Sequence, residues 1–189
     1  MTAMNGKNAG QVDDTAPSRR VHRDRPALCL RAAELALIRA HACAAYPREC
    51  CGVLTRTRCG APARAHRCDN LQQQLHDEDP GRHPRDARAA YWIDPQQLYD
   101  IIMVSASVGN SLAGFYHSHV DSEARFSSMD QRGAMVLGPE PDYPDAVHLV
   151  LSVHGASASG SGPAVTGQRC YAWDPQAREF VPAPLVIVA

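Results

Sequence analysis

The chain has 189 residues, with 19 lysines and arginines against 20 acidic side chains and a formal charge of -1. Apolar residues make up 44% and charged residues 21%, a globular composition that excludes a collagenous, fully disordered or membrane-spanning chain. The balanced charge argues against a nucleic-acid binder driven by bulk positive charge, and no apolar run approaches the ~18 residues needed to cross a bilayer.

Residues 1–26 are polar, with four arginines and almost nothing to bury, and are expected to form a disordered leader. No apolar stretch follows Arg19-Arg20, so an export signal is not expected. One globular domain is expected over 27–189. Leu28 and Leu30 mark a short strand. Ala32 to Ala45 reads as a helix, because Leu35, Ile38 and Ala42 recur at spacings of three and four, and Pro47 ends it. Cys51 to Thr55 reads as a buried strand.

Residues 56–90 are rich in polar clusters, with Gly60, Pro62, Pro80, Gly81 and Pro84. A strand is expected around Ala65 to Asp69, followed by a long surface loop from Gln72 to Arg88. That loop is either a flap over a substrate or a plain mobile insertion. Tyr91-Trp92-Ile93 reads as a strand. Asp94 then caps a helix with Pro95 at its first position and an apolar face of Leu98, Ile101 and Ile102. Gly109-Asn110 stops it. A strand over Leu112 to His119, a helix over Ser127 to Leu137 and a buried strand over Ala146 to Val153 follow. After a Gly/Ser-rich turn, Cys170 to Trp173 continues the sheet and Leu185 to Val188 is expected to close it. Alternating helices and strands give the class α/β, or mixed α+β.

Seven cysteines include no CxxC pair, so most thiols are expected to be free in a reducing cytoplasm. Cys59 and Cys68 do not make a second metal site by themselves, since two ligands do not fill a tetrahedron.

The informative stretch is Gly114 to Asp130. His117 and His119 are two apart at a strand end, so both imidazoles face one way. Two converging neutral imidazoles begin a zinc site. Asp130, in the first turn of the following helix, can fold back as a third ligand. Asp121 competes, but in an extended strand it would set three ligands in a row. Ser127 and Asp130 also fit a helix capping box, which is compatible with a ligand role. Three protein ligands leave a fourth position for water, whose pKa then falls toward ~7. A glutamate outside the metal's own ligands can move the water's proton to a leaving amine, and Glu49, at the turn into a buried strand, is placed for this.

Glu49, His-x-His at 117 and 119, Ser127 and Asp130 together resemble the JAMM (MPN+) metallopeptidase family. Pro47-Arg48-Glu49-Cys50-Cys51-Gly52 resembles its bacterial form, and Asn70 and Tyr91-Trp92-Ile93-Asp94-Pro95 stand where similar elements occur. Val120 and Phe126 replace prolines that many members carry. The resemblance implies a cytidine-deaminase-like fold, a mixed sheet flanked by helices. It implies zinc on His117, His119 and Asp130, Glu49 as general base and then acid, and Ser127 as oxyanion donor; Ser118 is a spacer. It further implies hydrolysis of a peptide or isopeptide bond at the C-terminal tail of a ubiquitin-like, ThiS- or MoaD-like sulfur-carrier protein. The extended Gly-Gly tail of such a carrier pairs as an added strand, for which the 56–90 insertion offers an edge. A non-catalytic scaffold of the same fold and a zinc hydrolase of small peptides are the alternatives. Base deamination is disfavoured, because the PCxxC signature of the zinc deaminases is absent.

Overall fold

The computed structural model describes residues 27–57, 62–156 and 162–189. The expectations for residues 1–26 and for Cys59 lie outside these. Twelve elements follow one another among the described residues: β1 (Leu28–Arg31), α1 (Ala32–Ala45), β2 (Cys51–Thr57), β3 (Arg64–Cys68), α2 (Gln72–Glu78), α3 (Pro95–Ser107), β4 (Asn110–Val120), α4 (Ser128–Ala134), β5 (Val147–His154), β6 (Ala164–Asp174), β7 (Glu179–Ala183) and β8 (Leu185–Val188). The main sheet has the order β3-β2-β4-β5-β6-β7. It is mixed: β4 runs parallel to β5, and the other neighbours are antiparallel. The class is the expected mixed α+β.

Strand alternation sends each central strand's side chains to two differently built faces. On one face, Leu35, Ile38 and Ala42 of α1 meet Leu54, Tyr116, Leu149 and Leu151. Burying each such Leu or Ile is worth about 1.5–3 kcal/mol. Tyr116 is fully buried, its hydroxyl lies 3.0 Å from Nδ1 of His41 on α1, and its ring covers Gly52 so closely that a Cβ there would collide with it. On the other face, Leu98 and Ile101 of α3 pack on Cys51, Val53 and Phe115. This second face carries the two histidines at the end of β4.

Four expectations change, and one strand is added. Gln72 to Glu78 is helix α2 rather than loop. Its sequence QQQLHDE lacks an apolar stripe, and it is held by Gln73–Asp77 and Gln74–Glu78 hydrogen bonds and by the Gln72 amide donating to Asn70. The segment after it is pinned as well, since Gln72 Nε2 donates to Arg85 O (2.6 Å) and the Glu49 N–H to Ala87 O (2.7 Å). Tyr91 to Ile93 is no strand: Ile93 makes a single bridge to Asn70. α4 stops at Ala134, because the Asp142 carboxylate accepts from the Val136 and Leu137 amides and turns the chain. β8 does not close the main sheet but pairs in parallel with β1, and the outer strand is β7, which the reading missed because Pro182 and Glu179 mask it. β3 is the outer strand on this side, where the Ala65 N–H donates to Glu34 Oε2 and the Arg67 side chain reaches Leu37 O. Among the described residues, no helix is long and apolar enough to cross a membrane.

Candidate metal centre

β4 brings His117 and His119 to one face and sends Ser118 to the other. The fully buried His117 ring is stacked by Tyr91 at 4.5 Å. Its Nδ1 has no hydrogen-bond partner, and its Nε2 looks toward the other donors. His119 Nδ1 lies 2.9 Å from Glu123 O. A carbonyl only accepts, so in the neutral ring Nδ1 holds the proton and Nε2 keeps its lone pair.

Asp130 enters through the helix cap. The Ser127 N–H donates to Asp130 Oδ2 (2.6 Å) and the Asp130 N–H to Ser127 Oγ (3.3 Å), a reciprocal capping box. The box fixes the carboxylate beside the imidazoles. His117 Nε2 and His119 Nε2 are 3.2 Å apart, His117 Nε2 is 3.4 Å from Asp130 Oδ1, and His119 Nε2 is 3.4 Å from Asp130 Oδ2. A tetrahedral ion bound at about 2.0–2.1 Å needs donors about 3.3–3.4 Å from one another. The imidazole pair matches that spacing, each imidazole lies the same distance from one of the two Asp130 oxygens, and this group can hold a metal ion.

The electrostatics agree. Burial pushes the Asp130 carboxyl up, but the hydrogen bond and charge of His117 and the hydrogen bonds of His119 and Ser127 hold it well below the usual carboxylate range. Burial lowers His117. It acts the same way on His119, where the Asp130 and Glu49 carboxylates outweigh it and raise the ring. The site is thus an anionic carboxylate with two imidazole donors, a set suited to a dication.

Glu49 is 7% exposed. Burial pushes its carboxyl up to about 8, His119 and Arg85 pull it down, and Asp130 pushes it further up, so it shares the electrostatic surroundings of the ligands. Cys51, two residues on, is fully buried and in register with His117; burial raises its thiol far above the ordinary range, as expected for a small buried hydrophobe. Cys68 is buried opposite Cys51.

Asp121 is not brought into the group. It turns the chain at φ 49°, accepts from Tyr46 Oη (2.9 Å) and the Gly155 N–H (3.0 Å), and lies on the surface. The two positions without proline have substitutes. Val120 extends the ladder opposite Val153. Phe126 is a plug, 4% exposed, with its ring centroid 4.6 Å from His148, 4.7 Å from Phe180 and 5.8 Å from Tyr171. It anchors the loop just before Ser127 by burial where a proline would stiffen it. Sequence reasoning missed the roles of Ser118 and Tyr91. The alternate position of Ser118 between two ligand histidines is the available signal for the first, and for Tyr91 it is the resemblance of the 91–95 stretch to a family element, which names no partner for the ring.

The family described as prokaryotic homologs of the JAB domain matches residues 31–166. The chain is similar to desampylase of Haloferax volcanii, 29% identical over 110 residues that make up 58% of this chain and 66% of the relative, so the chain spans slightly less than two thirds of that protein's length. Two solution structures share the fold. One, from Desulfitobacterium hafniense, is 20% identical with a TM-score of 0.58, covering 85% of this chain and 92% of the other. The second, from Salinibacter ruber, is 24% identical with a TM-score of 0.50, covering 85% and 91%.

Proposed function

This chain belongs to the prokaryotic JAB-domain family, and from that premise we propose that it is a zinc metallopeptidase. The proposed reaction is cleavage of a peptide or isopeptide bond at the C-terminal tail of a ubiquitin-like, β-grasp sulfur-carrier protein. The observation that carries the reading is the convergence of His117, His119 and Asp130, with Nε2–Nε2 and Nε2–carboxylate distances of 3.2–3.4 Å, together with a buried Glu49 carboxyl that interacts electrostatically with His119 and Asp130. Two imidazoles and one carboxylate favour zinc over calcium or magnesium, which prefer all-oxygen sites. A relative named desampylase supports an enzymatic reading, and no residue of the motif is missing, which disfavours the scaffold alternative.

The chemistry supplied by the bound ion is Lewis-acid activation of water and of the scissile carbonyl. Glu49 takes the proton of the attacking water and returns it to the leaving amine. Burial raises this carboxyl in the metal-free protein, and the positive charge of a bound dication would lower it again, toward the range where it can take and return a proton at neutral pH. The Ser127 hydroxyl, whose oxygen accepts from the Asp130 amide, is the group that donates to the developing oxyanion. Glu123 O and the capping box hold the His119 and Asp130 donors in place, so little reorganisation is needed during reaction.

The test is a purified β-grasp carrier bearing a short C-terminal extension beyond its Gly-Gly end, incubated with the zinc-loaded protein. The expected outcome is a mass loss equal to the extension, abolished by a chelator and restored by zinc. An unchanged carrier mass would remove this substrate class.

A further inference from the structure

Glu49 lies in the turn between α1 and β2 and belongs to neither, yet its main chain is held at several points. Its N–H donates to Ala87 O (2.7 Å) and its carbonyl accepts from Asn70 Nδ2 (2.9 Å). The next amide, Cys50 N–H, donates to Ser118 Oγ (2.9 Å), and the Cys50 carbonyl accepts from the Ser118 N–H (3.1 Å). Ser118 is fully buried. It sits between the two ligand histidines in sequence but on the opposite face of β4, so it ties the Glu49 turn to the strand that carries the ligands. Asn70 uses its whole amide: Nδ2 also reaches Ala90 O (3.3 Å), and Oδ1 accepts from the Gln72 and Trp92 amides at 3.0 Å each. Ala90 and Trp92 flank Tyr91, which stacks on His117. Two polar side chains therefore connect the main chain at Glu49 and Cys50 to the strand that carries His117 and to the segment whose Tyr91 stacks on the His117 ring.

We propose that Ser118 and Asn70 are positioning residues that hold the Glu49 carboxylate at a fixed distance from the metal ligands. The proposal rests on the peptidase reading above, in which Glu49 carries the proton. The side-chain chemistry is specific. Alanine at 118 leaves the buried Cys50 N–H without its acceptor, whereas threonine keeps the hydroxyl. Aspartate at 70 keeps the shape but turns two donors that face carbonyls into an oxygen. A misplacement of about 1 Å at a reacting group costs up to about 100-fold in rate.

The experiment combines amide hydrogen exchange, metal content and kinetics on the full chain. In Ser118→Ala the Cys50 amide should exchange about 10-fold faster or more while Val53 and Leu54 stay protected, with zinc per chain unchanged. Its kcat should fall about 10- to 100-fold with KM within roughly twofold, and Ser118→Thr should recover most of the loss. In a Glu49→Gln background, Ser118→Ala should add no further loss. Asn70→Asp should show the same split between kcat and KM, and it carries the test if Ser118→Ala does not fold. Metal loss in these variants, an additive loss on top of Glu49→Gln, or an unchanged kcat overturns the positioning role. An inactive zinc-loaded wild type overturns the peptidase reading and the role with it, whereas an active wild type with unaffected variants overturns the role alone.

Discussion

The two halves of the candidate site are assembled over different ranges of the chain. The ligand half lies between positions 117 and 130 and is built by two local rules, strand alternation in β4 and a capping box at the start of α4. The Glu49 half is built by distant partners: Ser118 lies 68 residues from Cys50, and Asn70 lies 21 from Glu49. The ligand group therefore depends mainly on local contacts, and the carboxyl depends on β4 and on the segment 70–93. A chain with loosened tertiary structure should lose hydrolysis before it loses metal.

Glu49→Gln separates the halves most sharply. It should keep metal while kcat falls about 10²–10⁴-fold, read by zinc content beside carrier cleavage. The same variant has a pH signature in the metal-free protein. The Glu49 carboxyl is raised from 4.5 to about 8 on folding, so the folded state holds a proton that the unfolded chain has already lost. Stability from this group is full below pH 4.5 and is lost as pH rises through 8. Glu49→Gln should therefore unfold at higher denaturant than wild type above pH 8, by a few kcal/mol, with the gap closing toward pH 5. Phe126→Ala attacks the other half through its anchor. Emptying the site among His148, Tyr171 and Phe180 should cost about 3–5 kcal/mol in chemical denaturation and weaken metal retention. Ser127→Ala should lower kcat about 10²–10³-fold and stability by about 1 kcal/mol, with metal still bound. Asp121→Asn, outside both halves, should leave metal content unchanged and activity within roughly twofold; metal loss there would redraw the ligand set.

The same division explains what the sequence disclosed. Leu35, Ile38 and Ala42 announce α1, Asp94-Pro95 announces the start of α3, and His117, His119 and Asp130 announce their own meeting, because each signal is a short periodicity or cap. α2 was illegible because Leu75 is its one apolar residue, and its support comes from Asn70 and from contacts with the 85–87 segment. The pairing of β8 with β1 joins the two ends of the described domain, and no local pattern encodes a register between them. Phe126 looked like a missing proline until the aromatic cluster that receives it was assembled from β5, β6 and β7. Residues whose partners are remote are legible only once the fold is known.

The most direct measurement is the metal content of the natively purified protein beside that of Asp130→Ala. The account predicts one zinc per chain in the first and none in the second, with the variant still folded. A folded Asp130→Ala protein that keeps its zinc, or a wild type that takes up none when zinc is supplied, would contradict it.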